Sequence, residues 1–325
     1  MVFVRIKKNK GKEYYYLVEN YRNSGKVCQK NLKYLGSVVP NSTMLRTLKE
    51  EFTEKKVQKI IREGIKFMPY KIDSNTLTRA KSIKEEFFYN LNNLSEKAKK
   101  QLIQRFKTGY TYHSCSIEGN TLTRQQVDMV INKKESVSGK KIIELREVEN
   151  HEKAIEYMLN ENSDLSIDFI KRLHKILTNG TKELKSNRNS SDYDPDFLEG
   201  EFRKDQRYIE GADFIPVIPE LIEYEMKNLI RFYNENKYQI HPLELASEIH
   251  YRFVVIHPFT DGNGRMGRLL MNFILDRSGF PMIDISTINR EKYLYALSSE
   301  NTKNLTEFIL LELENYINEV FPKKK

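Results

Sequence analysis

The sequence predicts a mainly α-helical protein with a small β module at its N-terminus. Three observations carry this. From about residue 41 onward, apolar residues recur at helical spacing in one segment after another. Residues 1–40 instead show short runs of β-formers broken by turn residues. Basic charge is concentrated in that same stretch: nine Lys/Arg stand against Glu13 and Glu19, a net +7 of the chain's +9.

Residues 2–7 (VFVRIK), 13–19 (EYYYLVE) and 26–35 (KVCQKNLKYL) are expected strands, separated by NKGK and NSG turns. The last ends at Gly36, and VVPNST leads out of the module. Leu45, Leu48, Phe52, Val57, Ile60 and Ile61 then fit a helix. The next helices are expected at about 76–94 and from the N-cap Ser95 to Ile117, with Glu96 at the positive end of the dipole. Further helices are expected at about 123–132, 141–160, 166–178, 218–235, 242–256, 263–278, 290–300 and 303–320. The polar run SNRNSSDYDPD within 181–200 reads as a loop. EFRKDQRYIEGADFIPVIP has too many β-formers and prolines for a helix and reads as a short hairpin over about 201–213, with Gly211 near its turn. The expected domains are 1–40 (basic β module), 41–95 (helical linker) and 96–322 (helical core).

Composition excludes several classes. Cys28 and Cys115 lie far apart with no CxxC partner, so neither a disulfide framework nor a structural zinc site is expected. MVFVRIKKNK lacks the apolar stretch of a signal peptide, and no run reaches the length of a membrane span. The expectation is a soluble cytoplasmic protein without membrane contact. No GxxxxGK[ST] phosphate loop occurs. The basic front module is a candidate for nucleic acid or for docking to a second copy.

The chemistry concentrates in HPFTDGNGRMGR, residues 257–268. Ala246, Ile249, Phe253 and Ile256 form the apolar face of the preceding helix. Pro258 disfavours helix at His257, which therefore sits at a helix exit. Asp261-Gly262-Asn263-Gly264 is a tight turn into the next helix, with Asn263 the expected N-cap. A glycine-rich turn feeding a helix start offers free N–H donors and the positive dipole end, an anion site. Arg265 and Arg268, three apart, oppose that dipole unless an anion such as a polyphosphate binds there. Asp261 is a hard ligand suited to Mg²⁺. His257 can take a proton near neutral pH. Together these imply attack of a hydroxyl on a phosphate. Singly, a DGNG is usually a turn and a lone histidine structural; the other histidines (His113, His151, His174, His241, His250) are read as structural or surface.

The string resembles HxFx(D/E)GNGRxxR, the motif of the Fic family, at every fixed position. HPLELASEIHYRFVVIHPF and LLMNFILDRSGFP are also similar to Fic helices, and the resemblance extends over about 75–320. It implies a helical core with a β-hairpin flap, and transfer of AMP from ATP to a Ser, Thr or Tyr hydroxyl of a target protein, with Mg²⁺ or Mn²⁺. By resemblance His257 is the base, Phe259 anchors the loop and Asp261 holds the metal. Gly262, Asn263, Gly264 and Arg265, with Met266 and Gly267 between, contact the phosphates, and Arg268 holds the γ-phosphate. Relatives with lysine in place of Gly264 transfer phosphate instead. Glu210, Gly211, Ala212 and Asp213 resemble the nucleotide side of the flap, whose edge would take the target segment by strand addition. Tyr293 and Asn301 in NREKYLYALSSEN resemble the adenosine site.

SCSIEG (Ser114, Glu118, Gly119) resembles the family's inhibitory signature (S/T)xxxE(G/N), placed as in the subclass with an N-terminal inhibitory helix. Glu118 is expected to pair with Arg268 and deny it to the γ-phosphate. Alternative readings are a de-AMPylase using Glu118 and His257, and a DNA-binding regulator whose Fic core senses nucleotide. A homodimer is a further candidate partner state. YYYLVENYR…GKVCQKNLKYLG is similar to N-terminal segments of some transposases.

Overall fold

Helix Pro242–Ile256 begins on Pro242 at a position whose N–H needs no partner, with the His241 Nδ1 accepting from Leu243 N–H at 3.3 Å. It buries Ala246, Ile249, Phe253 and Ile256 completely or nearly so. It hands the chain to helix Asn263–Arg277, which is buried around most of its circumference, from Met266 to Leu275. A helix apolar on nearly all sides belongs at the centre of a bundle. Helices Pro242–Ile256, Ile142–Asn160 and Glu96–Ile117 pack around it.

The structure, a computed structural model, describes residues 2–9, 12–23, 26–37, 39–41, 44–48, 70–185, 194, 197–207, 209, 216–298 and 301–322. The chain divides into two compact units: residues 1–67 with 210–215, and residues 68–209 with 216–325. The helix expected at the end of the linker, found at Ser74–Asn92, belongs to the larger unit. It is held there by a two-pronged ion pair from Arg79 to Glu314 on helix Lys303–Val320, at 2.8 and 2.6 Å.

The expected helices recur with shifts of one or two residues at most ends, including Glu96–Ile117, Ile142–Asn160, Ile167–Leu177, Pro219–Asn236 and Lys303–Val320. Ser95 caps Glu96–Ile117 as expected, accepting from Ala98 N–H at 3.2 Å. Most of the helix expected from Leu45 onward, residues 49–69, lies outside the described residues; 44–48 are helical. There are three departures. The helix expected at 123–132 is Arg124–Asp128 followed by a π-helix, Met129–Lys133, which closes on a left-handed Lys134. A short helix, Lys182–Lys185, lies in the expected loop. Among the described residues 201–207 no strand forms, so the first half of the expected hairpin is corrected. Their hydrogen bonds go elsewhere: Arg203 N–H donates to Pro258 O at 2.9 Å.

In the smaller unit β1 (Val2–Asn9), β2 (Lys12–Asn23) and β3 (Lys26–Gly36) form an antiparallel meander in sequence order. Alternation puts Tyr15 and Leu17 on one face, both buried, and Tyr14 and Tyr16 on the other. Among the described residues no helix is long and apolar enough to cross a membrane.

Candidate active site

His257 terminates helix Pro242–Ile256 in a left-handed conformation, φ 51°. That backbone costs a non-glycine residue about 1 kcal/mol, so something must hold it. Its N–H donates to Phe253 O at 2.9 Å. Its carbonyl accepts from Arg203 Nε at 2.7 Å. The Arg203 guanidinium, 2% exposed, also donates to the carbonyls of Asp205, at 2.6 Å, and Val217. One arginine thus ties both ends of the 203–217 segment to the carbonyl of the candidate base. Burial with no carboxylate in hydrogen-bond contact lowers its pKa to about 10. Burial, reinforced by Arg203, lowers His257 to about 4, so its imidazole is unprotonated at neutral pH.

The turn after His257 is pinned from three sides. Phe259 is fully buried, against Phe253 and Phe202 and flat on His174 at 3.6 Å. His174 Nδ1 accepts from Gly200 N–H at 2.9 Å, which leaves Nε2–H to donate to Asp261 O at 3.0 Å. Asn263 Nδ2 donates to Phe259 O at 2.8 Å, and its Oδ1 accepts from Phe259 N–H at 3.0 Å. The expectation that Asn263 is the N-cap is therefore corrected. Gly262, left-handed at φ 77°, holds that position, and Asn263, 2% exposed, spends its amide closing the turn.

The two arginines at the helix start meet carboxylates. Arg265 lies 3.2 Å from Glu147 on helix Ile142–Asn160 and 3.5 Å from Asp261. Arg268 Nη2 lies 2.7 Å from Glu118 Oε1, and Arg268 donates to Ser114 Oγ at 3.0 Å and Ser114 O at 2.9 Å. Burial opposes both charges; the acidic neighbours outweigh it and hold both pKa values above the ordinary arginine range. Glu118 caps helix Glu96–Ile117, and Gly119, φ 101°, turns the chain away behind it. Its carboxylate lies over Gly264: a β-carbon there would collide with Oε1. The glycine makes the room for that carboxylate at the helix start.

Three other expected site residues, Met266, Gly267 and Tyr293, face inward. Met266 is fully buried, and Gly267 packs on His250, where a β-carbon would lie 2.8 Å from Nδ1. Tyr293 is 1% exposed beneath Arg268, its hydroxyl 2.9 Å from His250 Nε2. Asn301 is half-buried, with Oδ1 accepting from Lys303 N–H at 3.0 Å. Glu210, Gly211, Ala212 and Asp213 lie outside the described residues. Asp261 is about one-third exposed, with Oδ1 accepting from Gly262 N–H at 2.5 Å. Among the described residues no cluster of three or more metal-ligating side chains exists. Sequence reasoning missed Arg203 and Glu147, and gave His174 a structural role without naming its partners. Only the position of Arg203 inside the expected hairpin was available as a signal, and apart from Asp205 the partners of all three are remote in sequence.

Comparison with known proteins bears on the family and the fold. Residues 164–275 match the Fic/DOC family. The chain is 31% identical over 245 residues to the protein adenylyltransferase fic-1 of Caenorhabditis elegans, covering 73% of this chain and 44% of that protein. It is likewise 31% identical to the protein adenylyltransferase Fic of Nematostella vectensis, covering 74% and 49%. The chain carries a Fic domain. A Fic-domain signalling protein of Bacteroides thetaiotaomicron shares the fold at a TM-score of 0.60 and 27% identity, over 74% of this chain and 91% of that one. This Fic chain spans under half the length of the two adenylyltransferases. Residues 4–63 match a second family, the N-terminal domain of IS1634 family transposases.

Proposed function

We propose that this Fic protein transfers AMP from ATP to a hydroxyl of a target protein and holds itself off through Glu118. The observation that carries the reading is the ion pair of Glu118 with Arg268 over Gly264, at 2.7 Å. A side chain of the protein occupies the ground that an anionic nucleotide needs. The similarity to protein adenylyltransferases supports the reaction class.

In this reading the hydroxyl oxygen attacks the α-phosphorus as His257 takes its proton. The bond to the β-phosphate oxygen breaks, and pyrophosphate leaves. The low pKa of His257 keeps it unprotonated and ready. Gly262–Arg265 supply backbone N–H groups and a guanidinium to the phosphates. Arg268 binds the γ-phosphate once Glu118 lets go. Asp261 fits Mg²⁺: a single, partly exposed carboxylate beside phosphates suits an ion that keeps most of its waters. The metal, when bound, would neutralise phosphate charge. With Glu118 in place, ATP is held off line. A misplacement on the order of 1 Å costs about 100-fold in rate.

ATP labelled on either its α- or its γ-phosphate tests the reaction. With Glu118→Gly, α-label should appear on protein and γ-label in released pyrophosphate. Label on protein from the γ-position would make the enzyme a kinase and sink the proposal. The Glu118 carboxylate, seated over Gly264 in the turn that follows His257, favours one second reading: removal of AMP by a water that the two side chains activate. Release of AMP from a modified protein by the natural chain, lost in Glu118→Gln, would identify it.

A further inference from the structure

The register of the N-terminal sheet places cations and tyrosines on one face. Arg5 pairs with Tyr16 and Lys7 with Tyr14 between β1 and β2, and Tyr16 pairs with Tyr34 between β2 and β3. Residues directly opposite in a ladder share a face. The rings cluster: Tyr34 lies 5.1 Å from Tyr16 and 6.5 Å from Tyr14, centroid to centroid. The Lys7 ammonium lies 5.0 Å from the Tyr16 centroid. Lys7 and Arg5 are exposed, Tyr34 is 53% exposed, and Tyr14 and Tyr16 are half-buried. Of the buried residues of β2, Tyr15 and Leu17 stand on the opposite face, while Val18, next along the tyrosine face from Tyr16, closes one end of it. An apolar core does not need three tyrosines, one of them more than half exposed, beside an exposed lysine and arginine. A polyanion carrying flat rings does.

We propose that this face binds single-stranded nucleic acid, with bases on the tyrosine rings and phosphates on Lys7 and Arg5. Duplex DNA buries its base faces, so a flat aromatic platform has nothing to stack on it. Splayed single strands offer base and phosphate together, and stacking on aromatic rings tolerates any sequence. The net +7 of residues 1–40 supplies the long-range attraction. Binding here is independent of the Fic chemistry and does not need Glu118 or His257.

The test uses the full chain and fluorescence anisotropy with labelled oligothymidine, oligouridine and a duplex of equal length, each across a salt series. Both single strands should bind more tightly than the duplex. Tyr16→Leu and Tyr34→Leu should each weaken single-strand binding about tenfold. Tyr16→Phe and Tyr34→Phe, which keep the ring and the fold, should bind within about twofold of the natural chain. Lys7→Gln should lower the salt slope by about 0.7, the loss of one single-strand phosphate contact. Three outcomes overturn the proposal: no binding at low salt, duplex bound as well as single strand, or leucine variants indistinguishable from the natural chain. A phenylalanine variant that loses binding also contradicts stacking. Preference for oligouridine over oligothymidine, or the reverse, would assign the strand as RNA or DNA.

Discussion

Glu118 and Arg203 solve the same difficulty in opposite ways. Each involves an arginine brought out of water beside the motif. Arg268 is buried with a carboxylate, and its charge is matched. Arg203 is buried with three main-chain carbonyls, and its charge is spread over hydrogen bonds alone. The second arrangement fixes geometry rather than charge. Arg203→Met should therefore strand buried carbonyls and cost about 3 kcal/mol in denaturant unfolding. It should also slow AMP transfer measured in a Glu118→Gly background, because His257 loses the clamp on its left-handed backbone. Arg203→Lys should not rescue the rate, since one ammonium lacks the fork that spans the separated carbonyls. A lysine variant with natural activity would show that only the charge matters. The Glu118–Arg268 pair could be anticipated because both residues sit in recognisable motifs. Arg203, His174 and Glu147 could not. Their partners are main-chain carbonyls or side chains on remote elements, and only the folded chain brings them together.

At the scale of elements, the sequence pattern held where burial is one-sided and caps are conventional. Helix Pro242–Ile256 has Pro at its start and His257-Pro258 at its end, and its limits match the expected ones. It failed where hydrogen bonds are made across the fold. Residues 201–207 read as a strand by composition, yet Arg203 N–H goes to Pro258 O rather than to a neighbouring strand. The π-helix at Met129–Lys133 has no periodic signal of its own. Close approach of the two motif helices depends on Gly267, where a β-carbon would meet His250 Nδ1 at 2.8 Å, His250 Cε1 at 2.9 Å and Val254 Cγ2 at 3.1 Å. These atoms belong to a fully buried ring and a packed helix, and they cannot step aside cheaply. Gly267→Ala should destabilise the protein by about 2 kcal/mol in thermal unfolding. An unchanged melting temperature would mean that the helices separate freely, contrary to the packing described.

For the whole molecule, buried histidines set the response to acid. His250 and His257 are held at about 4 by burial, against an ordinary value of 6.5, and His151 is also pushed well down by burial. The unfolded chain binds these protons below about pH 6.5, and the folded chain refuses them until about pH 4. Stability is thus fully present above pH 6.5 and drains away as pH falls toward 4. At pH 5 the loss is about 2 kcal/mol for each of His250 and His257. Denaturant midpoints should fall steadily from pH 7 to pH 5, and a flat profile would contradict the neutral, buried state. The transfer rate should show no acid limb near pH 6.5, because His257 stays unprotonated there.

The central claim is that Glu118 decides whether the anion site at the start of helix Asn263–Arg277 is open to a nucleotide. The most direct measurement incubates three proteins with α-phosphate-labelled ATP and Mg²⁺ or Mn²⁺: the natural chain, Glu118→Gly, and Glu118→Gly with His257→Ala. Label on protein, read with intact mass, should rise about 100-fold or more in Glu118→Gly. It should vanish in the double variant. Equal labelling by the natural chain and Glu118→Gly would contradict the claim, and so would labelling that survives loss of His257.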